Sequence, residues 1–230
     1  ALHFLPDTPV DHRGANVWIS LKNSVVDLVK VVCSRAGFLA LFICFMPIGS
    51  GAASNLWSSV AGEWKASAGT VALVTGVFAG VIMMVGCLVG GWFCDRMNRK
   101  GAYALYGMLQ AGTAVGMAFA PRTELMYIVW TSIYALVTGF TYAAFTAVVL
   151  EAIGHGAAAT KYSTFAALSN VPIGYVTRID GWADTKWHGR GMLLAEAAVA
   201  MAGLVVFLLV LGIFTRSAQR QANRRAVADS

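Results

Sequence analysis

The stretch that decides the fold is Gly91-Trp92-Phe93-Cys94-Asp95-Arg96-Met97-Asn98-Arg99-Lys100. It gathers one acidic and three basic residues into a short turn at the junction of two long apolar runs, 68–94 and 101–120. Charged residues confined to such a gap are typical of a loop that joins two helices at a membrane surface. The turn therefore predicts that the runs on both sides of it are membrane spans.

The composition of the whole chain agrees with a bilayer environment. Hydrophobic residues make up 58% of the 230 residues and charged residues 12%, with a mean hydropathy of +0.66, whereas soluble domains carry about 25% charged residues. The net charge is +6, but the basic residues lie between apolar runs, so we expect no nucleic-acid partner. The four cysteines fit no zinc spacing and are expected to be buried hydrophobes, and we expect no metal or cofactor.

Six segments are predicted as membrane helices, because a helix needs about 20 mostly apolar residues to cross a bilayer. They cover roughly 36–59, 68–94, 101–120, 125–150, 161–179 and 190–214. Helices satisfy their backbone hydrogen bonds internally, so the predicted fold class is an all-α, integral-membrane six-helix bundle. The chain then divides into a leading segment, 1–35, a transporter-like unit, 36–214, and a basic tail, 215–230.

The lysines and arginines predict the orientation of this bundle. Of the 17 such residues, those on one side are Lys65, Arg122, Arg178, Lys186 and Arg190. The other twelve lie on the side that holds both termini, which the positive-inside rule places in the cytoplasm at the cell membrane. Residues 17–35 alternate apolar and charged positions at helical spacing, which favours an amphipathic helix on the cytoplasmic membrane surface or a solvated linker helix.

The turn and the spans together resemble the C-terminal half of a transporter of the major facilitator superfamily, whose signature loop is G-x-x-x-D-R-x-G-R-K/R. The residues that match it in spacing are Gly91, Asp95, Arg96, Arg99 and Lys100. Asn98 replaces the second glycine, and asparagine tolerates the left-handed backbone that glycine supplies. Within the superfamily, residues 47–57 and 162–170 are similar to the muropeptide permease and acetyl-coenzyme A transporter branch.

This resemblance implies a fold, a function and a partner. The spans would be helices seven to twelve of a twelve-helix fold, a 3+3 inverted repeat, and the partner would be the missing N-terminal six-helix half. The activity would be secondary active transport of a small polar or amphipathic solute by alternating access, including symport. Asp95 would cap a helix N-terminus in the opposite half, Gly91 would allow close helix approach, and the basic residues would stay at the headgroups.

A polar stripe on the fourth span is the predicted wall of the substrate site. Its members share about a third of the helical circumference, and they are Tyr127, Thr131, Tyr134, Thr138, Thr141 and Tyr142. Such a face lines a water-filled cavity or forms hydrogen bonds between helices. The predicted substrate contacts are Tyr134, Thr138, Tyr142, Asn170 and Asn55. Because this face carries no charge at the membrane centre, we expect a sugar- or peptide-like solute.

Two other features of the spans carry predictions. The second span contains Gly76, Gly80, Gly86, Gly90 and Gly91, which is typical of a helix that packs closely against a neighbour. Ionisable residues inside spans indicate function by default, and Glu196 of the sixth span has a basic candidate partner in Arg178, near the outer end of the fifth. The two would form a structural pair or would couple proton binding to movement.

Three other functions remain open from the sequence. A half-size transporter could work as a homodimer, with a second copy replacing the missing half. An integral-membrane enzyme would need a catalytic group at a membrane face, for which His155 with Glu151 is the candidate, and we expect no enzyme. A binding or scaffold role for the bundle is the third.

Overall fold

The structure is a computed structural model that describes residues 17–153 and 158–228. His155, the candidate catalytic residue of the enzyme alternative, lies outside these residues. So does Arg13, one of the twelve basic residues predicted on the side of the termini. Within them the chain forms helices and turns and no strand, which confirms the all-α prediction. The helices are α1 Val17–Cys33, α2 Arg35–Cys44, α3 Trp57–Val60, α4 Ala68–Ala72, α5 Ala79–Cys94, α6 Arg99–Phe119, α7 Glu124–Ile153, α8 Ala158–Leu168 and α9 Asn170–Ala228.

Three helices are long and apolar enough to cross a membrane by length and composition: Ala68–Cys94, Glu124–Ile153 and Ala159–Arg216. The first runs through α4, a π-helical stretch Leu73–Phe78, and α5. Only 11% of the most apolar 18-residue segment of this helix is buried within the protein. Its exposed side chains include Val77, Val81, Met84 and Leu88. A surface of this extent and apolarity is suited to lipid.

The last of these three helices turns back on itself at His188. This residue has φ 59° and ψ −171°, outside the helical region. On one side of it, Tyr175 donates a hydrogen bond to the carbonyl oxygen of Phe45 at 2.9 Å, and on the other, Gly203 packs against Pro47. A straight helix would hold residues 175 and 203 about 42 Å apart. The chain therefore forms two antiparallel arms, 170–187 and 189–228.

The first predicted span, 36–59, is not one continuous helix. The helix α2 ends at Cys44, and Gly49 and Gly51 then take φ values of 60° and 70°, which favour glycine. Pro47, which lacks a backbone N–H, lies in the same turn. The chain continues in the 3₁₀ turn Ala52–Leu56, α3 and the 3₁₀ turn Ala61–Trp64. The broken stretch, residues 45–51, packs on α7, where the Thr141 hydroxyl donates to the carbonyl oxygen of Gly49 at 3.3 Å.

Helices cover parts of all six predicted spans, and six crossings remain a prediction. The helix α6 is not among the three candidate spans, since glycine, alanine and tyrosine outnumber large aliphatic residues in it. The last arm continues to Ala228, well into the predicted tail. In the leading segment, α1 packs Leu28, Val31 and Val32 against a buried cluster that contains Leu39 and Phe165.

The helices α5 and α7 meet backbone to backbone. A Cβ added at Gly86 would collide with the carbonyl oxygen of Leu136, and one added at Gly139 would collide with that of Met83. At Gly90 an added Cβ would lie 2.7 Å from the Cα of Phe140. The predicted close packing of the second span is thus confirmed at Gly86 and Gly90.

The other glycines of this span do not share the close contact. An added Cβ would meet nothing within 4 Å at Gly76 or Gly80, and at Gly91 it would lie 4.0 Å from the Cβ of Ala143. The closest approach therefore lies one turn before the motif glycine.

Candidate functional site

The polar face of α7 points into the bundle. Five of its six residues are buried: Tyr127, Thr131, Tyr134, Thr138 and Thr141. Tyr127 donates through its hydroxyl to the carbonyl oxygen of Trp57 at 3.0 Å, and Thr138 accepts from Nε2 of Gln110 at 3.0 Å. The face therefore makes hydrogen bonds between chain segments, one of its two expected uses.

The same face also lines a cavity, which is its second expected use. The cavity has a volume of about 260 Å³ and lies between the 3₁₀ turn Ala52–Leu56, the π-helical stretch and α7. Its polar lining consists of Ser54, Asn55, Thr75, Thr131, Tyr134 and Thr138. Asn55 is exposed, and its Nδ2 donates to the Thr177 hydroxyl at 3.0 Å. Three predicted contacts, Asn55, Tyr134 and Thr138, thus come together here.

The other two predicted contacts lie elsewhere. Tyr142 is 40% exposed and lines a separate cavity of about 40 Å³ with Ser50, Ser169 and Pro172. The side-chain amide of Asn170 donates to two carbonyl oxygens of its own helical turn, at 3.1 and 3.3 Å. The structure does not bring Tyr142 and Asn170 into the larger cavity.

Two buried carboxyl groups lie behind the Tyr134 side of this cavity. Glu196 is 1% exposed, and its Oε1 accepts a hydrogen bond from the Tyr134 hydroxyl at 2.8 Å. Asp180 is 0% exposed, and its carboxyl faces the Glu196 carboxyl. Both oxygens of Asp180 and Oε2 of Glu196 lack a donor. Tyr134 therefore links the cavity to a face-to-face acid pair.

The predicted pairing of Glu196 with Arg178 is not the arrangement in the structure. Arg178 is exposed and forms no ion pair within residues 17–153 and 158–228. Residues two positions apart on a helix point about 200° apart, so Arg178 faces outward when Asp180 faces inward. The predicted fifth span, 161–179, ends one residue before Asp180, so the sequence did not predict the burial of this residue. Asp180 and Glu196 each lie eight residues from His188 in the sequence. A chain reversal at His188 therefore brings the two residues to the same level on the two arms.

Glu63 fastens three loops together at the end of the bundle near His188. Its Oε1 accepts from the backbone N–H of Gly189 at 2.6 Å, and its Oε2 lies 3.8 Å from Nη2 of Arg122. The Arg122 guanidinium lies 3.6 Å above the ring of Trp64. Burial lowers the pKa of Arg122, while the Glu63 charge acts in the opposite direction. These contacts connect the 3₁₀ turn Ala61–Trp64, the α6–α7 loop and the chain reversal at His188.

Glu63→Ala is expected to lower the thermal stability of the purified protein. It leaves the N–H of Gly189, a buried residue, without its acceptor, which typically costs about 1–3 kcal/mol. The matched control is Glu151→Ala, because Glu151 is half exposed in its 3.4 Å ion pair with Arg99 and surface pairs are worth about 0–1 kcal/mol. Equal melting temperatures for the two variants would show that the Glu63 contact does not stabilise the turn.

The motif residues lie at the junction of α5 and α6. Asp95 follows the last residue of α5 and is exposed, with no side-chain hydrogen bond or ion pair in the described part of the chain. Arg96 stacks 3.7 Å above the Trp92 ring and donates to its carbonyl oxygen at 2.9 Å. Arg99 pairs with Glu151, and Lys100 occupies the first turn of α6. The motif acid therefore has no side-chain partner among the described residues.

Asn98, which replaces the second glycine of the motif, has an extended backbone rather than the left-handed one that asparagine tolerates. It has φ −65° and ψ 120°, and its Oδ1 accepts from the N–H groups of Lys100 and Gly101 at 3.1 and 3.2 Å. Asparagine is among the preferred residues at helix N-termini because its side chain satisfies such donors. Asn98 therefore caps α6.

Comparison with known proteins points to transport. No family model matches the chain. The chain is similar to the anhydromuropeptide permeases of Escherichia coli strain K12 and Escherichia coli O157:H7, in each case 26% identical over 145 residues, which cover 62% of this chain and 30% of the relative. The match thus spans less than a third of the length of the curated relatives. Together with the three apolar helices, this similarity supports a membrane protein with a transporter function rather than an enzyme.

Proposed function

We propose that this chain is the C-terminal half of a secondary active transporter of the major facilitator superfamily. In this proposal it moves a small polar or amphipathic solute across the cell membrane by alternating access. The observation that carries the proposal is the cavity of about 260 Å³ lined by the buried face of α7. Its lining includes Ser54 and Asn55, which follow the broken stretch 45–51 in the chain, and transporters commonly build their sites where membrane helices are interrupted.

The proposed solute carries hydroxyl, amide or ring groups, as a sugar- or peptide-like molecule does. The cavity lining offers the hydroxyls of Ser54 and Thr131 and the amide of Asn55, with the Trp57 ring as a flat apolar wall. A few polar groups in a mostly apolar pocket are typical of small-molecule sites. The relatives are named for an anhydromuropeptide, which makes an anhydromuropeptide the first solute to test.

The proposed partner is an N-terminal six-helix half. Asp95 is an exposed acid at the C-terminal end of α5, where the helix dipole disfavours an anion. A helix N-terminus on an opposing half would supply the missing N–H donors and the opposite end of a dipole. A second copy of this chain could supply the same surface in a homodimer. Flux from this chain alone, purified as a monomer in liposomes, would overturn the half-transporter proposal.

Asn55→Ala is expected to raise the half-saturating concentration for uptake of a labelled anhydromuropeptide. Loss of a typical hydrogen bond costs about 0.5–1.5 kcal/mol, which corresponds to roughly two- to twelve-fold in affinity. Uptake is measured in membrane vesicles containing the complete transporter, with the amount of protein checked in parallel.

Thr113→Val is the control for that measurement. Thr113 is a buried residue of α6 that donates to the carbonyl oxygen of Leu109 in its own helix and lies outside both cavities. Its half-saturating concentration should stay at the parent value. If Asn55→Ala also keeps the parent value, the cavity does not bind the solute.

A further inference from the structure

The carboxyl groups of Asp180 and Glu196 form a buried site that the bundle leaves electrostatically incomplete. The two residues are 0% and 1% exposed, and three of their four carboxyl oxygens have no donor. Behind them, the buried amide of Gln110 likewise has an oxygen without a donor. Buried acceptors without donors are rare because each carries a desolvation penalty, and ionised acceptors carry a larger one.

The groups that face this pair provide no positive charge. The helix α7 contributes the Tyr134 hydroxyl, which donates to Glu196. The helix α6 contributes Gln110, whose amide lies against Tyr134 and Thr138. Along the same arm, Arg178 is exposed, and Asp184 lies nearer to Glu63 and His188 than to the pair. Within the described residues, therefore, no cation neutralises the two carboxylates.

Ionisation of both carboxyl groups at neutral pH is strongly disfavoured, because the two face each other out of water. Desolvation and the repulsion of like charges each favour a proton on one of them, as in other acid pairs that share a proton. A protonated carboxyl would donate its O–H to the facing carboxylate and satisfy an oxygen on each side. The described residues contain no group of three or more His, Cys, Asp or Glu side chains that could hold a metal ion.

We propose that Asp180 and Glu196 form a binding site for a single proton and that Tyr134 connects this site to the cavity. The proton is taken from water and returned to water, with no other bond made or broken. While the proton is bound, the Tyr134 hydroxyl can keep its hydrogen bond to Glu196. Its release leaves two facing negative charges, which favours separation of the arms or entry of water. Coupling of this proton to solute movement rests on the proposed function, whereas the proton site itself does not.

Infrared absorption by protonated carboxyl groups tests the site without transport. The protein is placed in lipid nanodiscs and titrated upward through neutral pH, where ordinary carboxyls with pKa values of about 4 are already ionised. We expect one protonated carboxyl per chain to persist at neutral pH in the parent and to be lost in Asp180→Asn/Glu196→Gln. Asp184→Asn, a matched change one turn away on the same arm, should retain it.

Three outcomes would overturn the proton site. The parent would show no protonated carboxyl at neutral pH, or the double variant would retain the parent signal, or added sodium would abolish the signal and so identify a cation site. The parent titration needs no variant, so a double variant that fails to fold leaves the first and third results decisive.

Uptake of labelled anhydromuropeptide by vesicles then tests the coupling. An imposed proton gradient should change the uptake rate of the parent and of Asp184→Asn, and Glu196→Gln should lose this dependence completely. Gradient-dependent uptake by Glu196→Gln would overturn the coupling. If the parent takes up no solute at all, the proposed function fails while the infrared result still decides the proton site.

Discussion

Replacing Gly86 with alanine is expected to drive α5 and α7 apart and to cause a large loss of stability. The new Cβ would collide with the carbonyl group of Leu136 and approach the Cα of Gly139 to 3.2 Å. Because these are backbone atoms, no change of rotamer can relieve the collision. Overpacking costs about 1–3 kcal/mol and occasionally more, a large part of the 5–15 kcal/mol that typically holds a domain folded.

The melting temperature of the purified protein in detergent measures this effect, and Gly80→Ala is the control. Gly80 lies in the same helix, and an added Cβ there meets nothing within 4 Å. Alanine is a better helix former than glycine by about 1 kcal/mol, so the control should be neutral or slightly stabilising. If Gly86→Ala has the same melting temperature as Gly80→Ala, α5 and α7 are not in backbone contact.

Neutralising Asp95 is expected to slow transport at least tenfold without destabilising the chain. An exposed carboxylate at the end of a helix meets an unfavourable dipole of about 0.3–1 kcal/mol, and the Asp95 side chain has no partner in residues 17–153 and 158–228 to compensate. Asp95→Asn should therefore keep or slightly raise the melting temperature. A tenfold loss of rate corresponds to about 1.4 kcal/mol and would come from contacts with the opposing half.

The rate of solute uptake and the melting temperature are measured together for Asp95→Asn. Glu151→Gln is the control, because Glu151 is an exposed acid that already pairs with Arg99 within this chain. Its uptake rate should stay near the parent value. If Asp95→Asn takes up solute at the parent rate, Asp95 does not have the proposed capping role.

The all-helical fold could be predicted from composition because few charges interrupt the apolar runs, but apolar runs do not show backbone breaks. The stretch 36–59 carries no charged residue, yet Pro47, Gly49 and Gly51 interrupt its helix over only a few residues. A hydropathy average over about 20 residues is insensitive to such a break. Proline and glycine in the sequence indicate an irregular backbone. That Gly51 packs on Thr138 and Gly49 on Thr141 could be seen only in the structure.

The candidate site was predictable where helical geometry alone decides direction. Tyr134 and Thr138 share the inward face of α7, as expected. Each step of four residues rotates a side chain by about 40°, so Tyr142 lies about 80° from Tyr134, and it is exposed. Asp180 escaped prediction for a different reason, because its burial depends on contact with a distant arm rather than on its apolar neighbours.

The reversal at His188 has a consequence for how the protein is made. A lone aspartate at the centre of an inserting helix costs about 2.5–3.5 kcal/mol, and glutamate is similarly rare within membrane spans. The two acids lie at equal distances on either side of the reversal, so arms that enter the bilayer together bring each carboxyl to its partner before it meets lipid. We therefore expect the two arms to leave the translocation channel as one helical hairpin, with the unit of biogenesis being the pair rather than the single helix.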